Sequence, residues 1–315
     1  MVTNNKTRSG EDTFTVRLPA STSNLGAGID CFGLALQRYL SVRAVTSKTL
    51  TQKCRVRTSG TRESAELPRN EENLIYRAMA FAARSEGVTL PPLQLAVRNE
   101  ILLGRGFGSS AAAIVAGVKL CGLIGERELS NEKVLEYATR FEGHPDNVAA
   151  ALYGGFVTTC ITSSGAVFAL NRPWPAEVKI LAVSPGFHLS TKLARETLTR
   201  SVSRIDAVYN LQRSALFVGA LASARYELIW EAMHDRLHQE RRQTLVPGLA
   251  DVLALPRMDG LLGLALSGAG PSVLALVTGN YDVIAEAIAA CFRRYKVKTT
   301  SARLEVDTEG CQTMV

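Results

Sequence analysis

Cysteine and histidine are scarce in this sequence, and their placement excludes two common kinds of site. The chain of 315 residues has six cysteines and four histidines. The cysteines are scattered, with no Cys-x-x-Cys pair and no histidine at ligand spacing. This pattern argues against a zinc site and against a disulfide scaffold, and it is typical of a protein in a reducing cytosol.

Long apolar runs and blocks of positive charge are missing as well. The most apolar stretch, residues 111–125, contains Lys119 and is too short to cross a bilayer. The first twelve residues are polar, with no cationic segment leading into an apolar one. The net charge is +7, but the basic residues are dispersed and aromatic residues are not interleaved with them. We therefore expect a cytoplasmic protein without a membrane partner or a nucleic-acid partner, whose basic excess lies mostly on a solvated surface.

The rest of the composition is that of a globular protein with a substantial core. Hydrophobic residues make up 46% of the chain and charged residues 21%. The length allows about two domains, and no internal repeat of fixed period is visible.

A glycine-rich stretch at residues 104–110, which we call the glycine loop, carries the clearest chemical signal. It reads Gly-Arg-Gly-Phe-Gly-Ser-Ser, follows a predicted strand at residues 93–97 and precedes an alanine-rich segment of high helix propensity. Glycines allow a ligand to approach the main chain, and helix N-termini suit phosphate. Ser109 and Ser110 could cap the helix, bind phosphate or reach a metal ion. A plain turn with a serine cap weighs equally, and neither a Walker A loop nor a dinucleotide fingerprint is present.

A second cluster of functional groups lies at residues 142–147, Glu-Gly-His-Pro-Asp-Asn, where a predicted helix ends. Two carboxylates, an imidazole and an amide within one turn can hold a hard divalent cation and hydrogen-bond a polar substrate. The spacing fits neither an EF-hand loop nor an H-E-x-x-H zinc site. Solvated polar residues at a helix C-terminus are the equally weighted alternative.

Two further loops carry glycine and small polar residues. Residues 19–30 follow a predicted strand that stops at Pro19, and residues 267–272 follow a predicted strand at 261–266. The other predicted elements are helices at residues 70–86, 131–142, 205–232, 237–242 and 282–294, strands at 40–45, 178–184, 273–277 and 299–306, a hairpin at 153–170, and a polar connection at 58–69.

Taken together, the loops and the hexapeptide resemble the GHMP kinase superfamily, and within it the homoserine kinase family. The superfamily's first motif is similar to residues 19–30, its Gly-x-Gly-Ser-Ser phosphate loop to residues 106–110, and its third motif to residues 266–272. The homoserine kinase likeness depends on residues 21–30 and 142–147, on Ser190 and Thr191 with Arg195, and on Arg242 ahead of Leu-Val-Pro-Gly. The matches run in the expected order from about residue 13 to residue 306.

This resemblance implies an α+β protein of the α/β sandwich type. Residues 13–170 would form a ribosomal-protein-S5-domain-2-like domain that binds ATP, and residues 171–310 a ferredoxin-like GHMP C-terminal domain, with the site in the cleft between them. The implied activity transfers the γ-phosphate of Mg-ATP to the hydroxyl of L-homoserine, giving O-phospho-L-homoserine for threonine synthesis. A homodimer remains open.

The resemblance also implies roles for individual residues. The ATP phosphates would lie against Gly104, Arg105, Gly106, Phe107, Gly108, Ser109, Ser110 and Ala111, with Asn73 on the nucleotide side. Mg²⁺ would be held by Ser109 or Ser110 and by Glu142, with Glu136 as the competing carboxylate. Homoserine would contact Asn24, Asp30, His144, Asp146 and Asn147, while Arg195 and Arg242 clamp its carboxylate. Thr191 would stand near the transferred phosphate. Asp146 is the candidate base; polarisation of the hydroxyl by Asn147 and Mg²⁺ is the alternative.

Some residues depart from the family pattern. Leu102 and Ala27 stand where proline is usual, Phe107 where leucine is usual, and Ile29 where phenylalanine is usual. These apolar exchanges should tune packing more than chemistry. Two other functions stay open: a kinase for another small alcohol, and a GHMP-fold sensor, which would be expected to lose the serine pair or the Mg²⁺ carboxylate.

Overall fold

Two β-sheets with helices packed on them make up the protein in the computed structural model, which describes residues 11–314. The strands of the first sheet are β1 (Thr13–Asn24), β2 (Gly28–Thr46), β3 (Cys54–Gly60), β4 (Leu93–Asn99), β5 (Phe156–Ile161), β6 (Val167–Arg172) and β11 (Gln312–Met314). Those of the second sheet are β7 (Lys179–Pro185), β8 (Leu261–Leu266), β9 (Val273–Val277) and β10 (Thr299–Leu304). The first sheet is ordered β11-β1-β2-β4-β3, with β5 and then β6 added beside β2, and the second is ordered β10-β7-β9-β8.

The helices flank these sheets and supply the walls of the site. They are α1 (Leu74–Glu86), α2 (Ser109–Ile124), α3 (Asn131–Glu142), α4 (Asp146–Tyr153), α5 (Thr191–Glu196), α6 (Arg204–Ala222), α7 (Ile229–Ala232), α8 (Gln239–Arg242), α9 (Leu249–Leu253) and α10 (Tyr281–Arg294), with 3-10 turns at Arg62–Glu66 and Tyr226–Leu228. The predicted α+β class is confirmed.

Helix α2 lies at the centre of the first half because its side chains are small. Ala111, Ala112 and Ala116 are fully buried. Gly117 lets α1 approach so closely that a Cβ at this position would lie 2.3 Å from the carbonyl oxygen of Ile75. This packing fixes the helix, and therefore its N-terminus, against the sheet.

Strands β7, β8 and β9 of the second sheet are buried on both faces, which explains their continuous apolar runs, whereas the edge strand β10 is mostly exposed. In β7, Ile180 and Ala182 pack in the large core of the first half, whereas Leu181 and Val183 pack in a second core with α10. The two halves therefore share apolar contacts on one side of the second sheet. The division of the chain at residue 170 stays a prediction.

The first glycine-rich stretch is mostly strand, and the prediction that the strand stops at Pro19 was wrong. Strand β1 continues to Asn24, and β2 begins at Gly28. The β1–β2 register shifts between Pro19 and Ala20. Proline is tolerated at such an irregularity because no ladder hydrogen bond is lost there.

Other boundaries also differ from the predictions. The helical region predicted over 205–232 is broken after α6, where Ala224 has a φ of 53°. Strand β3 occupies the first part of the predicted polar connection, and α4, α9 and β11 were not predicted. Within residues 11–314, none of the helices has the length and apolarity needed to cross a membrane.

Candidate active site

A cavity of about 100 Å³ brings most of the predicted site residues together. It lies at the N-terminus of α2, between the β1–β2 turn and the segments that carry α4, α5 and α8. The predicted residues around it are Asn24, Asp30, Gly104, Gly106, Phe107, Gly108, Ser109, Ser110, Glu142, His144, Asp146, Asn147, Thr191, Arg195 and Arg242. Residues that were not assigned from the sequence also line it: Ser23, Leu189 and Ala269 among them.

Three predicted nucleotide contacts lie outside this cavity lining. Asn73 caps α1, with its side-chain oxygen accepting a hydrogen bond from the N–H of Ile75 at 3.1 Å. Arg105 donates from Nη1 to the carbonyl oxygen of Pro185 at 2.8 Å, and Ala111 is fully buried within α2. Each of these three residues makes contacts within the protein itself. The assignment of the three residues to ATP binding stays a prediction.

The glycine loop has a backbone shape that only glycine adopts easily. Gly104, Gly106 and Gly108 all have positive φ, at 61°, 84° and 65°. Gly108 occupies the capping position of α2, and no side chain caps the helix, so the alternative of a serine cap was wrong. Uncapped N–H groups in the first turn of a sixteen-residue helix favour an anion at this position.

Hydrogen bonds join the glycine loop to the two other glycine-rich segments. The N–H of Ser21 in β1 donates to the carbonyl oxygen of Phe107 at 3.1 Å. From the loop after β8, Ser267 donates its hydroxyl to the carbonyl oxygen of Gly106 at 2.7 Å, and this hydroxyl lies 2.9 Å from that of Thr22. The three segments therefore hold one another in place.

Asn147 is oriented by two serines of β1. Its side-chain oxygen accepts a hydrogen bond from the Ser21 hydroxyl at 2.9 Å, and its Nδ2 donates to the Ser23 hydroxyl at 2.9 Å. One N–H of this amide remains for a ligand. Sequence reasoning missed both serines; consecutive small polar residues inside a buried strand were the signal that could have revealed them.

His144 and Asp146 form a buried pair next to Asn147. The Nδ1 of His144 lies 2.5 Å from Oδ1 of Asp146, which also accepts the N–H of Asn147 at 2.7 Å. Burial opposes ionisation of both groups. Their mutual hydrogen bond and opposite charges outweigh burial, so the pKa of His144 is raised and that of Asp146 is lowered. Asp146 is therefore ionised and weakly basic.

Ser110 and Glu142 place hard oxygen ligands beside the α2 N-terminus. The Ser110 hydroxyl donates to Oε2 of Glu142 at 2.8 Å. Glu136, the competing carboxylate, does not line the cavity and lies 3.8 Å from Arg140. Hydroxyl and carboxylate oxygens at the same end of a helix fit the preference of Mg²⁺, and Glu142 has the better position.

Asp30, His144 and Asp146 form a second group that could bind a metal. Their ligand atoms lie within 4.8 Å of one another. The pairing of His144 with Asp146 and the positive charge of Arg195 beside Asp30 both disfavour a cation there. This part of the cavity suits a polar organic ligand better.

Asp30 and Arg195, which both line the cavity, form a bidentate ion pair. Arg195 donates from Nη2 to one carboxylate oxygen at 2.5 Å and from Nη1 to the other at 3.1 Å. Burial disfavours the charged guanidinium, but the hydrogen bonds and charge of Asp30 outweigh it and raise the pKa of Arg195. The pair joins the start of β2 to α5.

Arg242 is a buried cation without a carboxylate partner. Its side chain donates to the carbonyl oxygens of Ala194 and Gly268 and to Nδ1 of His238. Among the described residues, no carboxylate oxygen lies within 4 Å of this guanidinium. Burial, and then the neighbouring charge of Arg195, lower the pKa of Arg242 to about 10. An anionic ligand group would relieve this unfavourable state.

Known proteins are similar to this chain in both sequence and fold. A family model described as the GHMP kinases N terminal domain matches residues 73–155. A homoserine kinase of Solibacter usitatus is 42% identical over 280 residues, which are 89% of this chain and 90% of that protein. One from Deinococcus radiodurans is 46% identical over 261 residues, 83% of each chain. The crystal structure of homoserine kinase from Cytophaga hutchinsonii matches with a TM-score of 0.82 at 27% identity, covering 96% of this chain and 97% of that one.

Proposed function

The chain belongs to the homoserine kinase family of the GHMP kinases, and from this premise we propose that the cavity holds L-homoserine beside ATP bound at the α2 N-terminus. The enzyme transfers a phosphoryl group from ATP to the hydroxyl of L-homoserine. The observation that carries the placement is one cavity that combines an uncapped helix N-terminus with a carboxylate and two guanidinium groups. Phosphates and a zwitterionic amino acid require these opposite charges side by side.

Each charged group of homoserine would pair with a residue of opposite charge in the cavity. Its ammonium would lie against Asp30, and its carboxylate against Arg242 and Arg195. A planar guanidinium suits a carboxylate because it offers parallel N–H donors. Asn24 supports the pocket by donating from Nδ2 to the carbonyl oxygen of Gly268 at 3.0 Å, which fixes the loop beneath the substrate.

The ATP phosphates would lie on the backbone N–H groups of the glycine loop and of the first turn of α2. Ser110, with Ser109 beside it, and Glu142 would hold Mg²⁺, which when bound neutralises charge on the phosphates. The remaining N–H of Asn147 would orient the substrate hydroxyl. Asp146 can accept its proton only weakly because its pKa is lowered. Phosphoryl transfer depends mainly on positioning and electrostatic stabilisation, so a weak acceptor is enough.

A direct assay tests this function. We expect the purified protein to phosphorylate L-homoserine with Mg-ATP and to act hardly at all on mevalonate or galactose, because those alcohols lack the zwitterion that the pocket complements. A coupled ADP-release assay, with ³¹P NMR of the product, measures both. ATP binding without turnover on any of the three alcohols would instead support the sensor.

The Mg²⁺ assignment predicts a difference between two glutamates of α3. We expect Glu142→Gln to lower kcat about 100-fold, since it removes a charged ligand from the site of transfer, and to raise the Mg²⁺ concentration for half-maximal rate. Glu136→Gln is the matched control and should behave like the wild type. Mg²⁺ titrations of both variants at saturating homoserine measure the effect; a defect in Glu136→Gln alone would move the metal to that residue.

A further inference from the structure

A buried polar network lies directly behind Arg242, outside the cavity. Its central residue, His238, is 0% exposed and packs between α8 and the β1–β2 turn. Asp235 accepts hydrogen bonds from the N–H groups of His238 and Gln239, at 2.9 and 2.7 Å. These two N–H groups lie at the start of the short helix α8, which the carboxylate therefore stabilises. Asn210 of α6 donates to the same carboxylate at 2.7 Å. The backbone that carries His238 and Arg242 is thereby fixed.

The contacts of His238 determine which of its nitrogens carries the proton. Nε2 lies 2.8 Å from the carbonyl oxygen of Gly26, which can only accept, so Nε2 is the donor. Nδ1 lies 3.0 Å from Nη1 of Arg242, which can only donate, so Nδ1 is the acceptor. His238 is therefore neutral. Its pKa is lowered, first by burial, which agrees with this assignment.

Counting the five N–H groups of Arg242 shows what remains for a ligand. Nε donates to the carbonyl oxygen of Ala194 at 3.4 Å. The two hydrogens of Nη1 are directed to the carbonyl oxygen of Gly268, at 2.9 Å, and to Nδ1 of His238. The pair of hydrogens on Nη2 is left over, on a side chain that lines the cavity.

We propose that His238 is a positioning residue for the substrate's carboxylate, because its Nδ1 lone pair holds the Arg242 guanidinium in the rotation that presents Nη2 to the cavity. Without this acceptor, one Nη1 hydrogen is buried and unpaired, and the guanidinium turns to satisfy it. This inference rests on the proposed function, since it requires a carboxylate-bearing substrate at Arg242.

Two substitutions separate the two hydrogen bonds of His238. In His238→Asn the side-chain oxygen stands near the place of Nδ1, so the acceptor for Arg242 is kept and the donor to Gly26 is lost. In His238→Gln the side-chain nitrogen stands near the place of Nε2, so the donor is kept and the acceptor is lost. Circular dichroism and thermal melting first establish that both variants fold.

Steady-state kinetics with two alcohols give the readout. We expect His238→Gln to raise the KM for L-homoserine about 10-fold or more, as for a charge-assisted hydrogen bond that is misaligned, with the KM for ATP unchanged. His238→Asn should restore most of the homoserine affinity. With 3-aminopropan-1-ol, which is homoserine without its carboxylate, kcat/KM should be equal for the wild type and His238→Gln.

Each other outcome contradicts the inference in a recognisable way. A larger homoserine defect in His238→Asn than in His238→Gln would mean that the Gly26 contact matters and the Arg242 contact does not. Equal losses with homoserine and 3-aminopropan-1-ol would assign His238 a purely structural role. If both variants unfold, the stability of the core depends on this histidine, and positioning is rejected as its separate function. Absence of homoserine turnover by the wild type would instead overturn the proposed function.

Discussion

Replacing Gly106 with alanine is expected to lower kcat/KM for ATP about 100-fold or more, since displacements of about 1 Å can cost that much. Gly106 has a φ of 84°, and a Cβ there would lie 2.0 Å from the carbonyl oxygen of Ser267. That atom belongs to the backbone and cannot turn aside. One of the two loops must move, which also breaks the bond from the Ser267 hydroxyl to the Gly106 carbonyl.

Gly87→Ala is the matched control for Gly106→Ala. Gly87 ends α1 with a φ of 65°, and nothing lies within 4 Å of a Cβ built on it. The substitution adds a similar backbone strain, about 1 kcal/mol, without the collision. Thermal melts and ATP kinetics of both variants measure the difference. Equal activities would show that the contact with Ser267 does not fix the glycine loop.

Replacing Arg242 with alanine is expected to raise the KM for homoserine about 100-fold, within the 2–5 kcal/mol typical of breaking a buried charged pair. The KM for ATP should change less than about twofold, because the hydrogen-bond partners of this residue, Ala194, Gly268 and His238, lie outside both α2 and the glycine loop. Arg242→Lys should recover little, since an ammonium cannot keep those contacts and still reach the substrate.

The neighbouring Arg241 supplies the control for charge. Arg241 is exposed and Arg242 is buried. Arg241→Ala therefore removes the same formal charge from the adjacent, exposed position. We expect its homoserine KM to match that of the wild type. Initial-rate measurements that vary each substrate in turn decide the matter. A change confined to the ATP KM in Arg242→Ala would place the carboxylate site elsewhere.

Elements that depend on local pattern were predictable from the sequence, and elements that depend on distant partners were not. Helices α2 and α3 have strong propensity or clear amphipathic spacing, and they were predicted to within a few residues. The end of β1 was missed because its polar side chains favour a loop when taken alone. They are satisfied by partners far along the chain, such as Asn147, 126 residues from Ser21.

The same distinction holds for the site. The glycine loop and the 142–147 segment were visible because each concentrates its chemistry within a few consecutive residues. His238 was not noticed because a lone histidine near an arginine becomes informative only when Gly26 and Arg242 are seen on opposite sides of its ring. Asn73 is a different case: its side chain caps α1 and lies outside the cavity lining, and its assignment to the nucleotide side stays a prediction.

The ion pair between Asp30 and Arg195 bears on which alcohols the enzyme rejects. A ligand must exchange this bidentate contact for contacts of its own, and a zwitterion regains both halves, one with its ammonium and one with its carboxylate. An alcohol with a single charge can pair with only one of these two side chains, and the other is left without a partner of opposite charge. A neutral sugar regains neither. Discrimination by charge would therefore be built into this ion pair, before any contact with the hydroxyl that is phosphorylated.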